Sequence, residues 1–517
     1  MRAIVSVSDR TNLTELVRGL QELGTEVFAT DGTRRALADA GVEVASVGEL
    51  TSFPELLGGR LKTIHPLVHG GILARRDVPD QIAQLQEHGI QTIDVVVVNL
   101  YPFYETATRP DANEADIIEN IDVGGPALLR SAAKNFEHVV CLSDPADYGP
   151  VLDQLRNGGV DPKTRRRLAG KAFQHTAIYD THIASYLRDA EELFPETLSL
   201  ALEKVQDLRY GENPHQRAAF YRDRSLAPMP SGVTSAVQLN GIPLSFCNTI
   251  DVDAAWSVVS EFSAPSVAII KHTNPCGLAC AETLVEAYKR AHAGDPMSAF
   301  GGAIGLNRTV DEPTAREIAQ TFYEDIIAPD YEPEALAILK KKKNLRILAV
   351  RRRQMDSMTA HIEARDRLDV KRVSGGFLVQ TYDQNPLDQE PLKTVSERRP
   401  TLDELTDLEF AWRAVKHVKS NAIVLARQLM VVGVGAGQMS RVDSVELALK
   451  KANDRSIGSV LASDAFFPKP DGVEAAARGG VTAIIQPGGS IRDADIIAEA
   501  NRHHLAMIFT GHRHFKH

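Results

Sequence analysis

Val95-Val96-Val97-Val98 is a run of four β-branched residues with no polar alternation. Such a run fits a central strand covered on both faces, which requires helices on either side of a sheet. The surrounding chain supplies them. Ile4-Val5-Ser6-Val7 is strand-like and precedes a helical stripe of Leu13, Leu16, Val17, Leu20 and Leu23 that stops at Gly24. Val27-Phe28-Ala29, a helix reaching Ala40, a short strand at Val42-Glu43-Val44 and another over 138–142 continue the alternation. One helix carries Leu128, Leu129 and Ala132 on one face, and a further helix covers 163–187. The expectation for this segment is an α/β fold with a doubly wound parallel sheet.

The unusual residues sit where these strands end. Ser6, Ser8 and Asp9 follow the first, Thr30-Asp31-Gly32-Thr33 the second, and Tyr101 leaves the valine strand. Hydroxyls and turn amides beside helix starts can hold a phosphate. Each turn alone is better explained as a helix cap; three at one edge point to a phosphorylated ligand. Gly58-Gly59-Arg60-Leu61-Lys62-Thr63-Ile64-His65-Pro66, continuing to His69, combines paired glycines, two cations and two histidines, suited to an anion pocket or to a solvated basic loop. Asp122 precedes Gly124-Gly125, and Lys134 closes the following helix, where it also complements the helix dipole.

Farther along, Val267-Ala268-Ile269-Ile270 reads as a buried parallel strand that delivers Lys271 and His272 to its carboxyl end, with Pro275 and Gly277 ending the strand. A neutral imidazole can take a proton near pH 7, and a neighbouring ammonium disfavours the imidazolium. The pair is equally a strand end without chemistry. Arg209-Tyr210 opens a dense polar loop, and Asp295 to Gly302 forms a glycine-rich turn bearing Phe300. A strand is expected at Gly376 to Gln380 within charged connecting structure over 351–405, and a helix over Leu408 to Val418. No internal repeat stands out, and the terminal Gly511 to His517 reads as a polar tail.

Several functions are excluded. The 517-residue chain carries a formal charge of −10, which argues against a general polyanion binder. Its four cysteines are too scattered for a disulfide framework, no stretch approaches a membrane span, and no signal sequence is evident, so a cytoplasmic protein is expected. Pro275-Cys276-Gly277-Leu278-Ala279-Cys280 misses the zinc-deaminase spacing, and the cysteines fit i, i+4 on a helix start. No metal site is expected. Gly433-Val434-Gly435-Ala436-Gly437 fails the dinucleotide fingerprint.

With these residues collected, the chain resembles, end to end, the bifunctional purine biosynthesis family that joins phosphoribosylaminoimidazolecarboxamide (AICAR) formyltransferase to IMP cyclohydrolase. The resemblance is carried by SVSD at 6–9, GGRLKTIHP at 58–66, NLYPF at 99–103, IDVGGPALLRSAAKN at 121–135, LRYGENPHQ at 208–216, KHTNPCG at 271–277, VKSNAIV at 418–424, GVGAGQMSRVDS at 433–444, SDAFFP at 463–468, QPGGSIRD at 486–493 and GHRHF at 511–515. It implies a cyclohydrolase domain over 1–198, similar to methylglyoxal synthase, and a formyltransferase domain over 199–517 built from two cytidine-deaminase-like lobes that meet near 390–405. It implies a homodimer with formyltransferase sites between subunits, 10-formyltetrahydrofolate as co-substrate, and no metal or redox cofactor.

The resemblance also implies roles. His272 would assist proton removal as the AICAR amine attacks the formyl carbon, Lys271 would supply positive charge, and Asn421 would hold an oxygen. Arg209, Tyr210, Gly301, Glu324, Phe466, Arg513 and Phe515 would bind the nucleotide, and Met297, Phe300, Pro468 and Asp471 the folate. For cyclisation, Lys62, Tyr101, Asp122 and Lys134 match the catalytic group, and Ser6, Ser8, Thr33, Arg60 and Thr63 the nucleotide contacts. The chain departs from the family at Asp31, where glycine is usual and a carboxylate would face a phosphate, at Lys469, and at Phe246-Cys247.

Overall fold

A computed structural model describes residues 1–54, 56–109, 111–189, 191–224, 232–350, 368–383 and 392–517. The chain forms two compact units. One contains Met1–Ala201 and a short segment beginning at Asp223; the other contains Leu202–Arg222 and most of the chain that follows, to His517.

Unit one is a five-stranded sheet, every pairing parallel, in the order β3-β2-β1-β4-β5. The strands are β1 (Arg2–Val7), β2 (Glu26–Ala29), β3 (Ala45–Ser46), β4 (Val95–Asn99) and β5 (Val140–Leu142). The third strand lies just beyond the Val42 to Val44 segment expected from sequence; Val42 is buried among helix residues instead. Val95 and Val97 enter one core, Val96 and Val98 the other, so all four are buried. That two-sided burial is why the run shows no polar alternation. Helices α1 (Leu13–Glu22), α2 (Asp31–Asp39), α3 (Gly124–Lys134) and α4 (Pro162–Leu187) supply the covering layers.

Unit two contains a twelve-stranded mixed sheet in the order β16-β21-β20-β19-β17-β18-β10-β9-β11-β12-β13-β8. Ahead of it lies the two-stranded pair β6 (Leu202–Leu208) and β7 (Ala218–Asp223). One half of the large sheet comprises β8 (Val237–Asn240), β9 (Ser266–Lys271), β10 (Asn274–Cys280), β11 (Ala303–Leu306), β12 (Asp325–Ala328) and β13 (Arg346–Ala349). A separate hairpin pairs β14 (Leu368–Val373) with β15 (Gly376–Thr381). The other half comprises β16 (Lys393–Thr394), β17 (Ile423–Arg427), β18 (Met430–Gly435), β19 (Val460–Ser463), β20 (Ala483–Gln486) and β21 (Ala506–Phe509). Part of the charged stretch expected to connect the lobes, 351–367 and 384–391, lies outside the described residues.

The two halves are copies. In each, an antiparallel hairpin (β9–β10, β17–β18) is followed by an antiparallel neighbour (β11, β19), two parallel strands and an antiparallel edge strand. Helix α5 (Phe246–Ser260) precedes the first hairpin and α6 (Leu284–Gly294) follows it; α7 (Leu402–Val415) and α8 (Arg441–Ala452) do the same for the second. The repeat not evident from sequence is present there as Asp251-Val252-Asp253-Ala254-Ala255-Trp256 and Asp407-Leu408-Glu409-Phe410-Ala411-Trp412, which hold both tryptophans of the chain. The halves join where β10 meets β18, at Ala279 opposite Met430.

Close packing explains the glycines of the second hairpin. A Cβ at Gly277 would lie 2.1 Å from the Ala291 carbonyl oxygen, and one at Gly433 would lie 2.2 Å from that of Ala448. In each lobe the following helix rests directly on the strand backbone, so Gly433 and Gly435 belong to a strand under a helix. The topology also corrects two expectations. β9 is antiparallel to both neighbours, and Pro275 and Gly277 lie inside β10, across a bulge, rather than ending a strand. Cys276 and Cys280 are therefore strand residues, and burial pushes both thiols up to about 12. No helix among the described residues is long and apolar enough to cross a membrane.

Glu261, which caps α5, accepts from Lys416 at 2.8 Å and His417 at 3.1 Å just beyond α7, clasping the two copies together. Burial raises its carboxyl, but the hydrogen bonds from His417 and Lys416 and the charge beside it bring it down to about 2 from 4.5, while burial lowers His417 itself. A depressed acid stabilises the fold above its unfolded pKa, and that stabilisation is lost as pH falls toward the folded one. Glu261→Gln is expected to cost about 2–3 kcal/mol at pH 7, less by pH 3, read by urea unfolding at both. An equal cost at the two pH values contradicts the clasp.

Candidate active sites

In unit one β1 and β4 are neighbours, while β2 and β3 lie on one side and β5 on the other, so the chain reverses its winding direction between them. Ligands of open α/β sheets bind at the carboxyl side of such a switch point. Asn99, the last residue of β4, organises this edge: its Oδ1 accepts from Ser8 N at 2.7 Å and Asp9 N at 2.8 Å, and its Nδ2 donates to Asp9 O at 3.2 Å. The Val7 amide donates to Thr33 Oγ1 at 3.0 Å. Three turn amides expected to meet a phosphate are thus occupied from within. What remains is a set of hydroxyls, with Thr30 Oγ1 3.2 Å from Ser6 Oγ, and the first turn of α2, whose cap Thr30 makes no side-chain capping bond. Asp31 lies 3.9 Å from Arg34, which gives its carboxylate a cation of its own.

A second group converges at the start of α3. Lys62 Nζ donates to Tyr101 OH at 3.3 Å. Asp122 Oδ1 accepts from Gly125 N at 2.8 Å, and Tyr179 OH accepts from Asp122 N at 2.7 Å. Burial pushes the Asp122 carboxyl up, while the Gly125 amide and the Lys62 charge pull it down. Thr63 is buried, and its Oγ1 lies 2.6 Å from where a Gly124 side chain would begin. Arg60 is exposed and paired with Glu119. Lys134 ends the same helix, ten positions on from Gly124 and about 15 Å along the axis. Each of the two loop histidines has one ring nitrogen engaged within the protein. His65 Nδ1 accepts from Leu67 N as a helix cap, and burial lowers His69, which pairs with Ser131 at 3.0 Å.

In unit two Lys271 and His272 occupy the tip of the β9–β10 hairpin. His272 (φ 52°) and Thr273 (φ 64°) form a two-residue turn, both left-handed. Each costs about 1–2 kcal/mol in a non-glycine residue, so the surroundings must hold the turn. Asp251 Oδ1 accepts from Thr273 N at 2.7 Å, and the carboxylate also meets the His272 amide. Lys271 Nζ donates to Phe300 O at 3.0 Å and Gly301 O at 2.9 Å, leaving one of its three protons. The exposed His272 ring has no hydrogen-bond partner among the described residues. A free imidazole therefore stands beside a fixed ammonium. A cavity of about 190 Å³ adjoins Lys271, lined also by Asn274, Pro275, Cys276, Asp295 and Lys451 among others.

The second lobe meets this tip through Asn274, whose Oδ1 accepts from Lys419 N at 3.0 Å. Two residues on, Asn421 donates to Gln438 O at 2.9 Å and Met439 O at 3.3 Å and accepts from Arg441 at 2.7 Å. Its amide protons are spent on its own lobe, so the expected oxygen-holding donor is a clamp on the Gln438 loop in this structure. Arg441 in turn pairs with buried Asp464, which leads to Phe466 and Pro468; Asp471 begins the next helix. The terminal segment is no loose tail. His514 is buried with its ring 4.8 Å from Trp412, its amide donates to Asp464 O at 2.9 Å, and Lys516 O accepts from Ser420 N at 2.9 Å. This anchoring presents Arg513 stacked 4.5 Å over Phe515.

Glu324 contacts buried Arg346 at 3.1 Å. Neighbouring Asp325, raised to about 7 by burial against the pull of Arg346, accepts from Asn248 Nδ2 at 2.8 Å. Arg209 stacks 5.5 Å from the Tyr210 ring, and the same loop offers Glu212 O to Cys247, beside Asn248. Met297 is 89% exposed and Phe300 61%. Asn99, Asp251, Arg441 and Asp464 are organising residues the sequence did not single out. Asn99, Arg441 and Asp464 lie inside the quoted motifs and Asp251 lies outside them, and only their spatial partners reveal their work.

A family model described as the AICARFT/IMPCHase bienzyme matches residues 132–451, and one described as an MGS-like domain matches residues 12–127. The curated "Bifunctional purine biosynthesis protein PurH" of Oceanobacillus iheyensis is 50% identical over 519 residues, covering 100% of this chain and 99% of that protein. The protein of the same description from Bacillus mycoides is 51% identical over 518 residues, with the same coverage. A solved structure described as the crystal structure of ForH is 45% identical and covers 36% of this chain and 98% of its own, with a TM-score of 0.33.

A methyl at Gly125 would sit 2.3 Å from Asp122 Oδ2, whereas one at Gly32 would meet nothing. Gly125→Ala is expected to destabilise unit one by about 1–3 kcal/mol, and Gly32→Ala to leave it unchanged or up to about 1 kcal/mol more stable. Urea unfolding of both variants checks the difference.

Proposed function

The chain belongs to the AICARFT/IMPCHase bienzyme family, and from that premise we propose how its residues divide the work. It is a bifunctional enzyme of purine biosynthesis, an AICAR formyltransferase drawing on a formyl-folate and an IMP cyclohydrolase. The donor in this reading is 10-formyltetrahydrofolate, and the setting is the cytoplasm.

Formyl transfer belongs to unit two. The 5-amino nitrogen of AICAR attacks the formyl carbon, the bond from that carbon to the folate nitrogen breaks, and the amine proton must leave. The amine is a weak nucleophile because its lone pair is drawn into the imidazole-carboxamide. A positioned base contributes about 10²–10⁴-fold, and orientation must supply much of the rest. His272 is that base: its ring is unpartnered and its backbone is held. The third Lys271 proton faces the charge that develops on the formyl oxygen. Arg209, Tyr210, Glu324, Gly301, Phe466, Arg513 and Phe515 hold the nucleotide, and exposed Met297 and Phe300, with Pro468 and Asp471, receive the folate. Asn421 maintains the edge on which these groups sit. The exposure of Met297 and Phe300 also supports a homodimer in which a second copy completes the site. Sedimentation at twice the chain mass is the expected result, and a monomer active at all concentrations sinks the idea.

Cyclisation belongs to unit one. The carboxamide nitrogen of formyl-AICAR attacks its own formyl carbon, a C–N bond forms and the C–O bond breaks, and the oxygen leaves as water with one proton from the carboxamide nitrogen and one from the formamido nitrogen. The reaction is intramolecular, so positioning dominates. Asp122 accepts the nitrogen proton while Lys62 and Tyr101 hold the departing oxygen, and Ser6, Ser8, Thr33, Arg60 and Thr63 hold the nucleotide. Lys134 enters this reading on resemblance alone.

The observation that carries the reading is the free imidazole beside a fixed ammonium on a clamped turn. His272→Ala is expected to lower formyl transfer at least 100-fold and spare cyclisation of supplied formyl-AICAR; Lys62→Ala is expected to do the reverse. If either variant, still folded, loses both activities, the two-site division is wrong.

A further inference from the structure

The second hairpin repeats the first with different side chains at the turn. Gln428 (φ 53°) and Leu429 (φ 57°) occupy the β17–β18 turn as His272 and Thr273 occupy the β9–β10 turn. Asp407, the sixth residue of α7, accepts from Gln428 N and Leu429 N, each at 2.6 Å. Asp251, the sixth residue of α5, stands in the same place beneath the first turn. The strained turn and its carboxylate are thus a device of the lobe, built twice. Only the first copy carries an imidazole with a neighbouring ammonium. The second presents Gln428 and Leu429, which can neither take nor give a proton at neutral pH, and its Gln428 carbonyl is further held by Arg290.

We propose that Asp251 is a positioning residue for formyl transfer, holding His272 in the left-handed turn that aims its ring at the reacting amine. The proposal rests on the assignment of His272 above. Asp251 does not touch substrate; it receives the turn amides, and its partly buried carboxylate lies beside Lys271 and His272. Without it the two left-handed residues relax toward ordinary backbone, and the imidazole leaves its station although every catalytic side chain is still present.

The duplication supplies a matched control. Asp251→Ala and Asp407→Ala remove the same carboxylate from the same position of two homologous turns, so both are expected to lower the unfolding midpoint of unit two similarly. Asp251→Ala is expected to lower kcat for formyl transfer at least tenfold with KM for AICAR within about threefold, while Asp407→Ala leaves kcat within about threefold of the parent. Asp251→Asn keeps one acceptor oxygen and is expected to fall between; it carries the test if the alanine variant does not fold. Equal kcat losses in the Asp251 and Asp407 variants, or a loss confined to KM, overturn the positioning role. A His272→Ala enzyme that keeps formyl transfer instead overturns the site reading beneath it, so the two failures are distinguishable.

Discussion

The pairing of β10 with β18 is the contact on which unit two depends. Each lobe, taken alone, would leave the second strand of its hairpin as an unpaired sheet edge, with its backbone groups open to any other strand. Joining the two edges gives one sheet of twelve strands with no open edge at its centre. The join is tight because Cys280 N donates to Leu429 O at 3.0 Å and because the strands are flattened by glycine under their covering helices. Glu261 repeats the connection on the helix layer. One consequence is chemical. The first lobe's turn and the second lobe's Lys419 to Asn421 segment become neighbours, which neither lobe could arrange for itself.

Unit one solves a related problem with one side chain. The ends of β1 and β4 diverge at the switch point, and their first loop amides would otherwise lack partners. Asn99 satisfies two of them and returns a hydrogen bond to Asp9 O. The crevice is therefore prearranged by an amide group rather than by the ligand. Hydroxyls and the uncapped start of α2 are what it can offer an anion.

Much of this was legible beforehand, for reasons that differ by element. Val95 to Val98 announced a two-sided strand because its burial is two-sided. The helix stripes of unit one were legible because one face meets the sheet. Val267 to Ile270 looked parallel because its burial is equally complete; continuous apolarity reports burial on both faces and says nothing of direction. The duplication was obscured because the lobes share backbone demands rather than side chains. Asp, Trp and Gly recur where a turn, a core and a close approach require them, and almost everything between has drifted. The terminal segment reads as a tail because its histidines, arginine and lysine are polar, yet His514 lies against Trp412 in the core. No spacing rule could have located Asn421's partners, since Gln438, Met439 and Arg441 reach it only after a hairpin returns.

The two turns show what the sequence conserves within itself and what it leaves free. A left-handed pair of non-glycine residues persists only where the surrounding fold imposes it, and here it persists in both copies. Had the strain served only the chemistry, the Gln428-Leu429 turn would have lost both it and Asp407, since neither residue can transfer a proton. The strain therefore belongs to the lobe, and the chemistry occupies a conformation that the fold already maintained. Lys271 follows the same logic: it is held by two backbone carbonyls, at Phe300 and Gly301, rather than by side chains. The active site of unit two is thus a small set of exchangeable side chains on an expensive and duplicated backbone. That is why its identity is read from a histidine and a lysine, whereas its geometry is read from the aspartates beneath the turns.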